Sequence, residues 1–446
     1  MQNKQKIAII GGGILGLCTA YYLNKSCGDN CDITLIEKNE KLGGLTLTSR
    51  VEGMELERFY HHFFKSDKAL QGLLNELGLG SKLRRYPSKM GIYHKNKLID
   101  FSSAVDILKF PNLSFFSRLR LGIGSLFLQK WPSKKSFEGV YAIDWCNKFF
   151  GKDITKIFWE PLLKAKFAGD YNKIGMLWLR ARLRDRASSR GLPWKDEQLG
   201  YIDGSINTLI VKLMERLEKG GVKIVTKADI TSYKYKVKKH RMSYQVGGIT
   251  TKDDYDVIVS TITPKSFTKI FDPPKRYIND LSKIKFLGAI CLTLTLKKQF
   301  MPYYWLTIND PEKPFLAVIE HTNLIDKALY GYKSVLYLGK YLSPKDELYN
   351  LTEDEIVNIA VKFLKEINPD FDNTWIDNAS IIKTETAQHI LDLNAIPPLP
   401  TVGKNGLYYA HFSQIYEHDR GVNYAIAQSL DLSNLIIKNE RINNNT

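Results

Sequence analysis

Hydrophobic positions along the chain fall into two rhythms. Lys6-Ile7-Ala8-Ile9-Ile10 is a short β-rich apolar run, the profile of a strand covered on both faces. Three glycines follow at once, and residues 17–24 then place Ala20 and Leu23 on one helical face with Gly16. A second apolar run, 32–36, ends at Glu37. Leu70, Leu73, Leu74 and Leu77 predict a helix over 66–77, stopped by Gly78. Ile206, Leu209, Ile210, Leu213 and Leu217 predict another, ended by Gly220-Gly221 and followed by a strand at 222–225. Further strands are expected at 256–261, 292–296, 315–319, 335–338 and 406–410, and a closing helix at 424–437. Strand, helix and strand alternating at the start predict an α/β fold with a parallel sheet.

The junction after the first strand carries chemistry. In Gly11-Gly12-Gly13-Ile14-Leu15-Gly16, Gly11 permits the tight turn, Gly13 lets backbone approach a pyrophosphate, and Gly16 lets the helix pack close to the strand. The helix start supplies free N–H groups and partial positive charge for a diphosphate. Glu37 is placed to accept hydrogen bonds from ribose hydroxyls. Strand, glycine turn, helix, strand and acid together predict a dinucleotide site. The frame alone leaves NAD and FAD open.

The next residues, Glu37-Lys38-Asn39-Glu40-Lys41-Leu42-Gly43-Gly44-Leu45-Thr46, offer a second backbone approach to the same diphosphate. This spacing of acid and glycine pair resembles the flavoprotein superfamily of amine oxidases, protoporphyrinogen oxidase and phytoene desaturases. That resemblance implies FAD, held by Gly11 to Gly16, Glu37, Lys38 and Gly43 to Thr46. Leu45 stands where many members carry a phosphate-binding arginine. The tail Gln414-Ile415-Tyr416-Glu417-His418-Asp419-Arg420-Gly421-Val422-Asn423 and the helix after it match the superfamily's closing segment. The match implies cofactor contacts by Asp419, Val422 and Asn423, with Gln428-Ser429 replacing a usual helix glycine. It also implies adenine contact by Ile230. The expected architecture is a Rossmann-type FAD-binding domain from discontinuous segments (1–75, 200–265 and 400–446) plus an α+β substrate domain (76–199 and 266–399). Glu57-Arg58-Phe59-Tyr60-His61-His62-Phe63-Phe64, Phe158-Trp159-Glu160-Pro161, Tyr303-Tyr304-Trp305 and Glu320-His321-Thr322-Asn323 resemble a bacterial protoporphyrinogen-oxidase-like branch.

In that superfamily the stretch holding His61 and His62 passes beside the isoalloxazine ring, where an imidazole accepts a substrate proton or stabilises reduced flavin. The competing reading has one histidine in the core and the other capping a loop. Glu320 and His321, at the end of an expected strand, form a second candidate pair for proton abstraction, although strand neighbours point to opposite faces. Tyr416 is a third candidate, placed near the flavin by the resemblance.

Composition narrows the partners. The 446 residues are 44% hydrophobic with a formal charge of +17, enough for two or three domains with real cores. Five cysteines are too few for a disulfide framework, and their spacing suggests no metal site, so a reducing, cytoplasmic compartment is expected. No charge-free apolar stretch is long enough to span a membrane. Lys109, Arg118, Arg120, Lys130, Lys134 and Lys135, interleaved with Phe115, Phe116, Leu119, Ile123 and Trp131, suit a segment (102–135) lying on an anionic membrane surface, or a helix covering the core. A second basic cluster, Arg180 to Arg186 with Arg190, reads as a solvated helix face or a site for an anionic substrate. No nucleic-acid-binding module is present. The expected activity is FAD-dependent hydride removal from an apolar or lipid-linked substrate. The alternatives are a non-redox flavoenzyme of the UDP-galactopyranose mutase type and a flavin-carrying accessory subunit.

Overall fold

The structure, a computed structural model, describes residues 4–103, 106, 110, 113–130, 133–189, 197–395, 397–403 and 405–442. Four helices set the site: α1 (Ile14–Cys27), α2 (Phe115–Lys130), α3 (Met176–Ser189) and α4 (Val422–Asn439). The strand Gln5–Ile10 is the centre of a five-stranded parallel sheet, flanked by Cys31–Ile36 and Val257–Ser260 and edged by Lys223–Val225 and Leu407–Tyr409. The beginning, middle and end of the chain thus share one sheet. Ile7 and Ile9 face a core built with Leu17, Ala20 and Leu23 of α1 and Ile426 and Ile436 of α4. Ala8 and Ile10 face the opposite way, against an antiparallel sheet of Asp229–Lys236, Lys239–Val246 and Ile249–Tyr255. Each fully buried leucine in these layers stabilises the fold by about 2 kcal/mol.

A second, seven-stranded mixed sheet has the order Ile376–His389, Phe286–Leu296, Ser334–Leu342, Ala317–Glu320, Trp305–Ile308, Met90–His94 and Lys97–Asp100. The helix Glu353–Ile367 packs through Ile356, Ala360 and Phe363 on one of its faces. On the other side lies a helical layer containing α2 and α3, with Leu121, Leu128, Trp159, Phe167 and Trp178 in its core. Strands at 292–296 and 335–338 are therefore parts of longer ones, and the expected 315–319 strand forms as Ala317–Glu320.

Candidate cofactor cleft and active site

The glycine-rich turn is a cradle with no room for side chains at its base. A Cβ on Gly16 would lie 1.9 Å from the Gly11 carbonyl oxygen, and one on Gly12 2.3 Å from Leu42 Cδ2. Gly13 is the N-cap of α1, with no capping side chain and no acid in the first turn, so the first N–H groups of α1 have no intrahelical acceptor. The second glycine pair closes on the first: Gly43 N donates to Gly12 O at 2.8 Å, and a Cβ on Gly44 would lie 3.2 Å from Gly13 Cα. Glu37 accepts from Gly12 N at 2.6 Å and from Asn39 N at 2.8 Å, which fixes its carboxylate at the strand end. Oε1 also accepts from Asn39 Nδ2 at 2.8 Å, so the lone pair that remains for a hydroxyl donor is on Oε2. Two backbone approaches, unsatisfied helix N–H groups and an oriented carboxylate fit the diphosphate and ribose of a dinucleotide. Thr46 bonds Gly43 O within this turn, Lys38 is exposed and pairs with Asp229, and Ile230 packs on the layer behind Ile36.

α4 lies along α1. Asn423 Oδ1 accepts from Leu70 N at 3.1 Å, and the single proton of the buried Ser429 hydroxyl is shared between Leu15 O at 2.9 Å and its own i−4 carbonyl, Ala425 O, at 2.7 Å. The absence of a glycine at 428–429 therefore does not hold the helix off: serine is small enough for the approach and its hydroxyl is satisfied inside it. Leu45, from the N-terminal frame, and Asp419, Val422 and Asn423, from the tail, stand on the wall of one cavity of about 440 Å³.

His61 and His62 line the same cavity. Their segment is pinned by Phe63, which exchanges two backbone hydrogen bonds with Gly200, and by buried Glu57, which accepts from Tyr201 Oη at 2.7 Å and Ile206 N at 2.8 Å. Glu57 and Tyr201 carried no sequence signal of their own beyond the resemblance of the segments that hold them, 57–64 and 200–265. His61 Nδ1 lies 2.5 Å from the Phe59 carbonyl. A carbonyl only accepts, so Nδ1 carries the proton and Nε2 is left as an acceptor. Burial pulls the His61 imidazole down to about 4 and His62 well below its usual value, so both are neutral at pH 7. His62 lies 3.2 Å from the Tyr304 hydroxyl and packs edge-on against Phe64 and Trp305.

Three other candidates are placed elsewhere. Glu320 is 0% exposed and accepts from Phe300 N at 3.1 Å and Met301 N at 2.8 Å, so it holds a turn rather than facing the cavity. His321 opens a short 3-10 turn, bonded to the Tyr330 hydroxyl at 3.0 Å and packed on Tyr201. Tyr416 is 43% exposed and off the cavity wall. By contrast, Lys166, Arg182, Arg186, Lys340 and Arg420 reach the wall. Arg190 lies outside the described residues. Among the described residues no three histidine, cysteine or acidic side chains cluster as a metal site.

The buried neutral imidazoles set a pH dependence. Burial lowers His321 and His411 to about 3 and His389 to about 4. The unfolded chain takes up protons below pH 6.5 that these folded rings do not. Their contribution is complete above pH 6.5 and is lost as pH falls towards 3, at about 1.4 kcal/mol per pH unit for each ring. Burial raises Glu320 to about 7 and Asp67 to about 6, which acts the other way but on fewer groups. Urea unfolding midpoints are expected to be lower at pH 5 than at pH 7; a midpoint that rose would contradict this assignment.

The flavin-containing amine oxidoreductase family matches residues 15–384. The chain is 24% identical over 188 residues to coproporphyrinogen III oxidase of Bacillus subtilis, an alignment covering 39% of each chain. It is 26% identical over 303 residues to human prenylcysteine oxidase 1, covering 60% of this chain and 59% of that one. These alignments span about two- to three-fifths of the curated relatives' lengths. An Exiguobacterium structure provisionally named a protoporphyrinogen oxidase superposes with a TM-score of 0.77 at 17% identity, over 98% of this chain and 99% of that one, and so shares its fold.

Proposed function

Because the chain belongs to the flavin-containing amine oxidoreductase family, we propose that it holds extended FAD and removes a hydride from an apolar or lipid-linked substrate beside His61 and His62. The observation that carries this reading is the meeting of Leu45 with Val422 and Asn423 on one cavity wall. Residues 1–75, 200–265 and 400–446 would surround the cofactor; 76–199 and 266–399 would surround the substrate. The N–H groups opening α1 and the backbone at Gly13 and Gly44 take the diphosphate, Glu37 takes the ribose, and the start of α4 supplies positive dipole to the pyrimidine end. A bound flavin supplies the hydride acceptor. The chain does the rest. Ile92, Phe158, Trp159 and Trp178 exclude water from the cavity. His61 offers Nε2 as a hydrogen-bond acceptor, but its depressed basicity makes it a weak resting place for a proton at neutral pH. Purified protein should show flavin absorbance that a reductant bleaches. A colourless chain that refuses added FAD would contradict the reading, and turnover without net electron transfer would return the mutase-type alternative.

We place this reaction at an anionic bilayer, on the two faces of α2. Leu121, Gly124, Ser125 and Leu128 are buried, whereas Phe115, Phe116, Leu119 and Ile123 are exposed, Phe116 at 79%. Arg120, Lys130, Lys134 and Lys135 are exposed nearby, and Gly122, Leu126 and Gln129 also line the cavity. Lys109 and Trp131 lie outside the described residues. Among the described residues no helix is long and apolar enough to cross a membrane, so the fitting placement is in the interfacial plane. The chain is expected to sediment with phosphatidylglycerol vesicles and not with phosphatidylcholine vesicles. Phe116→Asp with Ile123→Asp should weaken that binding by about tenfold or more; unchanged sedimentation would remove α2 from the contact.

A further inference from the structure

Of the four arginines of α3 only Arg184 is exposed to solvent. Arg180 is 2% exposed, and Arg182 and Arg186 stand on the cavity wall. With Lys166, Lys340 and Arg420, five cations there face three carboxylates, Asp67, Asp185 and Asp419. The carboxylates have partners of their own. Asp419 pairs with Lys166 at 2.7 Å; Asp185 accepts from the Tyr424 hydroxyl at 2.9 Å and lies 3.4 Å from His418; Asp67 accepts from Phe64 N at 2.7 Å. Among the described residues Arg182 and Arg420 belong to no ion pair. Arg182 lies over the Phe64 ring at 5.6 Å, and Arg420 donates to the Tyr341 hydroxyl at 3.1 Å and lies over the rings of Tyr341 at 5.9 Å and Phe412 at 5.8 Å. Tyr341 registers the resulting field. Burial raises its phenol, yet Lys166 and Arg420, with Arg182 behind them, bring it below its ordinary value.

Both guanidiniums act on Asp419 through space, and Arg182 on Asp67 as well, but neither touches a carboxylate, because Asp419 is in contact with Lys166 and Asp67 with Phe64 N; each is an incomplete pair. The planar donors of a guanidinium match an oxyanion in two-point contact. We propose that Arg182, supported by Arg420, binds a carboxylate or phosphate of the substrate, which is therefore an acidic amphiphile. The oxyanion sits on the His62 side of the cavity. The apolar body lies along Ile92, Phe158 and Trp178, which belong to the same core as the inner face of α2. This rests on the reading that the cavity receives substrate beside a bound flavin, and it adds the chemical class of that substrate.

The test uses the full chain loaded with FAD and four probes of equal chain length: decyl phosphate, decanoate, decanol and decylammonium, each kept monomeric. Binding is followed by calorimetry and by quenching of the cavity tryptophans. The anions are expected to bind about tenfold or more tightly than decanol. Arg182→Gln should erase that preference, Arg182→Lys should restore part of it, and FAD affinity should be unchanged in both. The tighter of the two anions identifies the oxyanion. Arg420→Gln provides an independent variant should Arg182→Gln not fold. Decylammonium binding as well as the anions, or neither anion binding, would overturn the proposal. So would an anion preference lost only together with FAD affinity, which would assign Arg182 to the cofactor. If the chain takes up no FAD, the functional reading fails by itself, while tryptophan quenching still decides the anion preference.

Discussion

Gly13→Val is expected to abolish cofactor uptake while leaving the fold in place. Gly13 has φ −71° and ψ 176°, extended backbone that any residue adopts. A Cβ there meets nothing nearer than Gly44 Cα at 4.0 Å. The protein therefore has room for the side chain, and the branched methyls enter the space left for a diphosphate. Valine is a poorer N-cap than glycine, which costs about 1 kcal/mol and lowers Tm by only a few degrees in a chain of this size. FAD affinity should fall by about 100-fold or more, roughly 2.7 kcal/mol. A flavin-fluorescence titration beside a thermal melt reads both. Gly16→Val is the contrasting case, since its Cβ would lie 1.9 Å from the Gly11 carbonyl and must move α1; there, stability and cofactor are lost together. Gly13→Val protein that stays yellow would mean the diphosphate lies elsewhere.

Glu320→Ala should act in the opposite way, on the fold and not on the cofactor. Its carboxylate receives two backbone N–H groups, Phe300 and Met301, in a site without solvent. Asn323 holds the same turn through the Met301 and Tyr303 carbonyls, both at 2.7 Å. Truncation leaves two buried donors unpaired and opens a void, together costing about 3–5 kcal/mol. Glu320→Gln keeps an acceptor for one of the two N–H groups and sets its amide nitrogen against the other, so it should lose about 1–3 kcal/mol, less than the alanine variant. Turnover of Glu320→Gln should stay within about twofold of the parent, since an acid–base role is usually worth 10²-fold or more. A stable Glu320→Gln protein with turnover lost by that larger factor would restore Glu320 as a catalytic residue.

The contrast between these two positions shows what could be read from the chain. At Gly11 to Gly16 and Glu37, local geometry and chemistry are written in consecutive residues: the turn, the helix start and the acid specify each other. The parallel sheet followed from the same stretch. Glu320-His321 carries equally suggestive residue types, but their task depends on which turn folds over them, and that turn is nineteen or twenty residues away. The α3 arginines mislead for a related reason. A helix facing solvent and one whose cations face a cavity share the same period, so periodicity cannot separate them. The antiparallel sheet over 229–255 left a weaker trace. One of its turns is Gly247-Gly248, both with positive φ, but the other is Val237-Lys238, also with positive φ and without a glycine to mark it. Ser429 shows how a departure from a family pattern is absorbed: its hydroxyl bonds within the close approach that a glycine would otherwise allow.

A crystal structure of the FAD-loaded chain tests the central claim most directly. It should show one extended FAD per chain, with its diphosphate against Gly13 and Gly44, its ribose on Glu37 and its ring system between the start of α4 and His61-His62. Density confined to the N-terminal cleft, with Val422 and Asn423 untouched, would contradict the account.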